Sequence, residues 1–328
     1  MEEASKHFIH LDDLMERVGE RLAKLTGAEW GMISGGCAAC MVGGTCACVA
    51  GADPEKMAML PDTSSMKNEC IMPKKHRNVY DRCIWMTGVK MVEVNSTEEM
   101  EAAVNDRTAM IATFGAVFDR GGIIPLEDIV RIGKKHSVPV FVDAAAEQPN
   151  VPNIYIEAGV NLVAYSGGKY IRGPQDSGIL LGRKDLCQAA FLNMAPHHAF
   201  GRPMKISKET IMGGLTALDL WINGRDHEAE WKEWERILDY IAQKAMQVPS
   251  VTTEILPPSG RSNVVMRMRI NWDQNSVKLT TEEFTKQMFE GNPRIYVFGN
   301  YINPAMMEEG EEVPVAKRVY EILSAAAV

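Results

Sequence analysis

Apolar positions along the first two-thirds of the chain recur with a period that switches between three-to-four residues and two. Residues 11–26, LDDLMERVGERLAKLT, set Leu11, Leu14, Val18, Leu22 and Leu25 on one stripe, and Gly27 follows, which predicts an amphipathic helix with a glycine stop. WGMIS at 30–34 is short and apolar and predicts a strand running into Gly35-Gly36. CAACMVGGTCACVAG comes next, with small residues suited to a tightly packed helix. After a polar loop the segments alternate. ECIM (69–72), KMVEV (90–94), TAMIATF (108–114), VPVFVDAA (138–145), NLVAYS (161–166) and SGILLGR (177–183) predict strands. NVYDRCIWMT (78–87), TEEMEAAVN (97–105) and PLEDIVRIGKKH (125–136) predict helices among them. Such alternation gives an α/β class: a mostly parallel central sheet with helices on both faces.

Past residue 205 the pattern changes. A long amphipathic stretch over roughly 207–245 precedes the strands VTTEIL and NVVMRMRIN, a helix at 281–290, a strand RIYVFG and a final helix near 314–325. The expected division is a large domain over 1–205 and, over 206–328, a linking helix with a small C-terminal α+β domain, which suits a chain of 328 residues.

Composition narrows the function. Hydrophobic residues make up 46% and charged residues 24%, ordinary for a globular protein, and the formal net charge is −8. No Lys/Arg run exceeds the pairs at 74–75 and 134–135, so nucleic acid is not expected as a partner. The polar, acidic start MEEASKHFIHLDDL is not a secretory signal, and no run of 18 apolar residues predicts a membrane span. Seven cysteines, an odd number, fit reduced thiols and a cytoplasmic setting. Four of them, Cys37, Cys40, Cys46 and Cys48, lie within twelve positions and resemble a metal motif. Four thiolates on a single helix cannot surround a tetrahedral Zn²⁺, however, so no metal is expected, and Cys40, Cys46 and Cys48 read as small buried hydrophobes.

Ligands of an open parallel sheet gather at the carboxyl ends of its strands. Three ends carry notable residues. FVDAAAEQP closes an apolar run with Asp143, and a buried carboxylate needs a partner. YSGGKYIRGPQDSG places Lys169 just past a strand, among glycines. The Gly35-Gly36 turn into a helix offers free N–H groups and a positive dipole end for phosphate. Phosphate cradle, amine and carboxylate are the parts a pyridoxal 5′-phosphate (PLP) site requires: the amine for a Schiff base, the carboxylate to hold a proton on the pyridine nitrogen. Taken singly, Asp143 reads equally as a cap and Lys169 as a solvated loop residue.

VDAAAEQP, NLVAYSGGKYIRGPQDSGILLGRKDL, LTGAEWGMISGGCAAC and GRPMKISKETIMGGLTAL together resemble the fold-type-I PLP enzymes related to bacterial selenocysteine synthase, and most closely their tRNA-independent relatives typified by D-glucosaminate-6-phosphate ammonia-lyase. The resemblance spans nearly the whole chain and implies a PLP-transferase fold of type I, aspartate aminotransferase-like. It implies that Lys169 is the Schiff-base lysine and proton shuttle and that Asp143 pairs with the pyridinium. Ala145 would pack beneath the ring, Ser166 and the N–H groups of Gly36 and Cys37 would hold the phosphate, His76 would stack on the ring and Thr113 would approach the 3′-oxygen. Arg172, Gln175 and Arg202 are expected on the substrate side, bind cofactor phosphate across a subunit interface, or are structural. Arg261, Arg267 and Arg294 are further candidates for an anion clamp.

The resemblance favours β-elimination from a hydroxylated amino acid, giving a 2-oxo acid and ammonia. Racemase, aldolase and selenocysteine-synthase-type transferase chemistry remain as alternatives, as does an inactive interaction protein on the same scaffold. Relatives form dimers or larger rings, so a homo-oligomer is expected. Relatives also carry a further segment, containing Gly and Thr, before the counterpart of EASKHF. The expectation is a shortened or alternatively started form, or one that builds that wall of the site differently.

Overall fold

The computed structural model describes residues 1–120 and 124–328. Seven strands form the main sheet: β1 (Trp30–Ser34), β2 (Glu69–Pro73), β3 (Lys90–Val94), β4 (Thr108–Phe114), β5 (Val140–Asp143), β6 (Leu162–Ser166) and β7 (Gly178–Gly182), in the order β1-β7-β6-β5-β4-β2-β3. The block β3-β2-β4-β5-β6 is parallel throughout, and β7 runs antiparallel to both of its neighbours, β6 and β1. The strands read as near-continuous apolar runs because both faces are covered: β1 and β7 are buried at every position, as are Ile71, Met110, Ile111, Val142, Val163 and Leu180.

The described residues form two compact units, Met1–Arg225 with Gly260–Ser262, and Asp226–Ser259 with Asn263–Val328. The helix Lys208–Asn223, assigned from the sequence to the segment after 205, packs in the first unit against Leu11–Thr26 and β1. The predicted amphipathic stretch is two helices, Lys208–Asn223 and His227–Ala245, the first closing at Gly224 and the second opening on Asp226, whose carboxylate accepts from the Ala229 N–H. In the second unit, β8 (Val251–Leu256), β9 (Arg267–Trp272) and β10 (Tyr301–Ile302) form a small antiparallel sheet, and the helices Thr281–Glu290 and Glu312–Ala325 bury Phe284, Met288, Val319 and Leu323 in its core.

Two predicted elements differ. Residues 78–87 are helical only over Arg82–Trp85: Asn78 Oδ1 accepts from the Tyr80 N–H at 2.8 Å, and the Asp81 carboxylate accepts from Arg77 and from the Asn78 N–H, so these side chains hold the backbone in turns. RIYVFG is not a strand. Val297 points inward while Tyr296 and Phe298 are each 79% exposed, which imitates a half-buried strand; the ladder to β9 begins only at Tyr301, after a turn through Gly299 at φ +62°.

Candidate active site

The carboxyl ends of β4, β5, β6 and β1 fall at one edge of the sheet, where Phe114 pairs with Asp143, Asp143 with Ala164, and Ser166 and Ser34 both with Gly178. Asp143 is 5% exposed. Its Oδ1 accepts the Ala145 N–H at 3.0 Å and the Cys37 thiol at 3.5 Å, while Oδ2 takes no hydrogen bond among the described residues. Burial pushes the carboxyl up; the Ala145 N–H, the Cys37 thiol and the positive charge of Lys169 oppose that rise. Burial, and then the Asp143 charge, push the Cys37 thiol well up, with Lys169 again pulling the other way, so Cys37 is a protonated donor to Asp143. Both buried groups therefore feel the ammonium of Lys169, which stands exposed three residues past β6.

The connection carrying Lys169, residues 167–177, is tightly tied. The Gly167 N–H donates to the Ser177 carbonyl at 2.8 Å, Gly173 N–H to Gly167 carbonyl at 2.8 Å and Arg172 N–H to Lys169 carbonyl at 3.0 Å. A Cβ on Gly168 would lie 2.6 Å from Gln175 Cα. Arg172 and Gln175 sit exposed on this same connection, Arg172 with φ +49°. Ser166, half-buried at its base, donates its N–H to the Ala145 carbonyl at 3.3 Å.

Opposite lies the start of the helix Cys37–Ala50. Gly36, at φ +93°, turns the chain from β1 into the helix. Its N–H donates to the Ser34 carbonyl at 2.8 Å and is not the free donor that the sequence suggested. The N–H groups of Cys37, Ala38 and Ala39 find no acceptor among the described residues, the first intrahelical bond being Cys40 N–H to Gly36 carbonyl at 3.1 Å. The turn rests directly on β7: a Cβ on Gly178 would fall 2.2 Å from Gly36 C and 2.5 Å from Cys37 N.

His76 is fully buried. Its Nδ1 accepts the Phe114 N–H at 3.0 Å, its edge meets Phe118 with centroids 5.1 Å apart, and its Nε2 has no partner among the described residues. Burial alone brings its pKa down to about 4, so the ring is neutral with its proton on Nε2. Thr113 is also buried, its Oγ1 without a partner among the described residues, and it lines the same hollow as Asp143. Buried polar atoms without partners among the described residues, one of them lining a hollow with a buried carboxylate, fit a site for a polar ligand.

The structure thus brings Cys37, His76, Thr113, Asp143, Ala145, Ser166 and Lys169 to one strand edge. Arg202 lines a different hollow, with Lys205 and an apolar floor that includes Met15, Phe191 and Ile211; neither cation makes an ion pair among the described residues. That loop nevertheless abuts the glycine turn, since a Cβ on Gly35 would lie 3.0 Å from the Met204 carbonyl oxygen. Arg261 belongs to the same unit, donating to the Tyr155 hydroxyl. Arg267 and Arg294 belong to the second, where Arg294 lies over Phe289 at 4.7 Å.

Sequence reasoning passed over Glu147. It is buried, both its oxygens accept from the Tyr155 hydroxyl at 2.8 Å, and Gly115 has to lack a side chain because a Cβ there would meet Glu147 Oε1 at 2.1 Å. The signal was a second acid four residues after Asp143 in DAAAE. Among the described residues no group of three or more His, Cys, Asp or Glu is placed to hold a metal ion, and no helix is long and apolar enough to cross a membrane. Cys40 and Cys46 are buried; Cys48 is half-buried rather than enclosed.

The Aminotransferase class-V family profile matches residues 84–207. The chain is 27% identical to D-glucosaminate-6-phosphate ammonia lyase of Salmonella typhimurium, over 99% of this chain and 89% of that one. It is 29% identical to a 5′-C-glycyluridine monooxygenase-decarboxylase of a Streptomyces species, over 98% and 84%. The solved structure of a D-glucosaminate-6-phosphate ammonia-lyase superimposes with a TM-score of 0.86 at 27% identity, covering 99% of this chain and 89% of that chain.

Proposed function

We propose that this chain, a PLP-dependent enzyme of fold type I, is a lyase that removes the β-hydroxyl of a hydroxylated amino acid and releases a 2-oxo acid and ammonia. The observation that carries the reading is that Asp143 ends one strand and Lys169 follows the next: one is a buried carboxylate with an open Oδ2, the other an amine whose charge that carboxylate feels.

The cofactor fits the donor set. The free N–H groups of Cys37, Ala38 and Ala39, with Ser166, would hold its phosphate at a positive helix end. Asp143 Oδ2 would accept the pyridine N–H. Nε2 of His76 and Oγ1 of Thr113, without partners among the described residues, would offer it polar contacts, and Ala145, whose N–H is held by Asp143, would pack beneath the ring. When bound, PLP supplies an electron sink for the carbanion formed at Cα. Lys169 takes the Cα proton, and the resulting ammonium delivers a proton to the β-hydroxyl as it leaves. Water then hydrolyses the released enamine to ammonia and the 2-oxo acid.

Arg172 and Gln175, on the connection with Lys169, are the nearest candidates for holding the substrate. Arg202 with Lys205 would take an anionic substituent, which suits a sugar-derived, phosphorylated substrate of the kind named for the ammonia lyase. We further propose a cytoplasmic homo-oligomer, a dimer or larger, to be tested by sedimentation velocity.

The test is a spectral titration. The protein loaded with PLP should absorb at roughly 410–430 nm. A panel of D- and L-hydroxy amino acids headed by D-glucosaminate 6-phosphate should shift that band and yield 2-oxo acid and ammonia in equal amounts. A Lys169→Ala protein that still released ammonia would overturn the assignment. Dioxygen uptake with carbon dioxide release, and no 2-oxo acid, would instead favour the oxidative decarboxylation for which the Streptomyces relative is named.

A further inference from the structure

The connection that carries Lys169 is gripped from outside by a residue 56 positions later in the chain, just past the helix Lys208–Asn223. Arg225 Nη1 donates to the Tyr170 carbonyl at 3.0 Å, and Nη2 donates to the Ile171 carbonyl at 3.2 Å. Its guanidinium carbon lies 5.6 Å from the Trp221 ring centroid. Trp221 meets the Tyr170 ring edge-on at 6.4 Å, and its indole N–H donates to Asn150 Oδ1 at 3.1 Å. With the Arg172 N–H on the Lys169 carbonyl, three successive carbonyls, 169 to 171, are each held by a donor. The helix itself lies against the connection: a Cβ on Gly173 would come within 3.0 Å of Ala217 Cβ, and one on Gly213 within 2.7 Å of Pro174.

A planar fork with fixed donors holds two consecutive carbonyls in a set geometry; a lysine ammonium, with rotatable donors, offers no such fixed geometry. Lys169 itself is exposed, with a flexible side chain, so the direction in which its amine leaves the backbone depends on how rigidly the connection around it is held. We infer that Arg225 is a positioning residue for Lys169: it fixes peptides 170 and 171 so that the amine is aimed into the site, while touching neither substrate nor cofactor. Trp221 keeps the guanidinium in plane and ties the same brace to Asn150, in the loop that follows Asp143.

This inference rests on Lys169 being the residue that bonds PLP, and a double-mutant cycle separates the two claims. The measurement is PLP affinity by equilibrium dialysis, which needs no turnover. Arg225→Met in the otherwise native protein should weaken PLP by about tenfold, the order expected for losing two charge-assisted hydrogen bonds that orient one group. In a Lys169→Ala background the same change should leave PLP affinity within about twofold, since phosphate and ring contacts do not pass through Arg225. Arg225→Lys, which keeps the charge and loses the fork, should fall between and provides the cycle if the methionine variant folds poorly. An equal loss in both backgrounds, or no loss in the native one, would overturn the inference. If Lys169→Ala alone leaves PLP affinity and the visible band unchanged, the Lys169 assignment itself fails.

Discussion

The proposed chemistry rests on Asp143, the buried carboxylate at the end of β5. Asparagine at that position keeps an acceptor for the Ala145 N–H but has no charge to hold a proton on a pyridine nitrogen. Asp143→Asn is therefore expected to lower kcat by about 100- to 1,000-fold, the range for removing one preorganised electrostatic partner, while thermal unfolding stays near that of the native chain. His76 gives a second, independent signature. It is neutral when folded, with a pKa near 4, against an ordinary value of about 6.5 when unfolded. Because the unfolded chain binds the proton first, the stability His76 contributes is present in full above pH 6.5 and is lost as pH falls from there toward 4. The slope attributable to this group approaches about 1.4 kcal/mol per pH unit, or roughly 3 kcal/mol over the whole window. His76→Asn should flatten the acid limb of urea-unfolding free energies between pH 6.5 and 4; an unchanged slope would mean the ring titrates normally.

Among the elements, β7 does the most to set the site. It runs against its neighbours, so the chain leaves β6, makes the Lys169 connection and returns along the same edge at Gly178, directly beneath the Gly36–Cys37 peptide. Gly178→Ala would force a methyl group into backbone atoms 2.2–2.5 Å away, which cannot rotate aside. A destabilisation of about 1–3 kcal/mol in urea unfolding is expected, with a parallel loss of PLP affinity as the helix start is displaced. The strands through residue 183, and the helices among them apart from 78–87, were legible because their apolar periods are distinct. The reversal of β7 was not, since an all-apolar strand reads the same in either direction. Nor was the Gly36 N–H, whose use by Ser34 depends on a turn geometry that two glycines permit without dictating. The motif SGGK and the run FVDA single out Lys169 and Asp143 as candidates in the sequence, whereas Glu147 and Arg225 find their partners only through the fold: Tyr155, Tyr170 and Ile171 are reached across loops and a helix end.

At the scale of the whole molecule, the site residues at the strand edge all belong to the first unit, which also takes in Gly260–Ser262 from beyond residue 225. The second unit has a separate apolar core, built on Ile241, Met268, Phe284 and Leu323. Two cores in one chain predict unfolding in more than one step: urea titrations followed at 222 nm and by the visible band of the loaded protein should not superimpose, because only the latter reports the first unit alone. Coincident curves would mean that the two cores melt together.

The contact between Gly178 and the glycine turn has a practical consequence for anyone wishing to redirect this scaffold toward other substrates. The Lys169 connection returns at Gly178 against the Gly36–Cys37 peptide, so neither that connection nor the glycine turn can be lengthened or shifted in a library without disturbing the other. Directed evolution should spare that seam and randomise the outward walls at Arg172, Gln175 and Arg202, where variety can be explored while the cofactor stays seated.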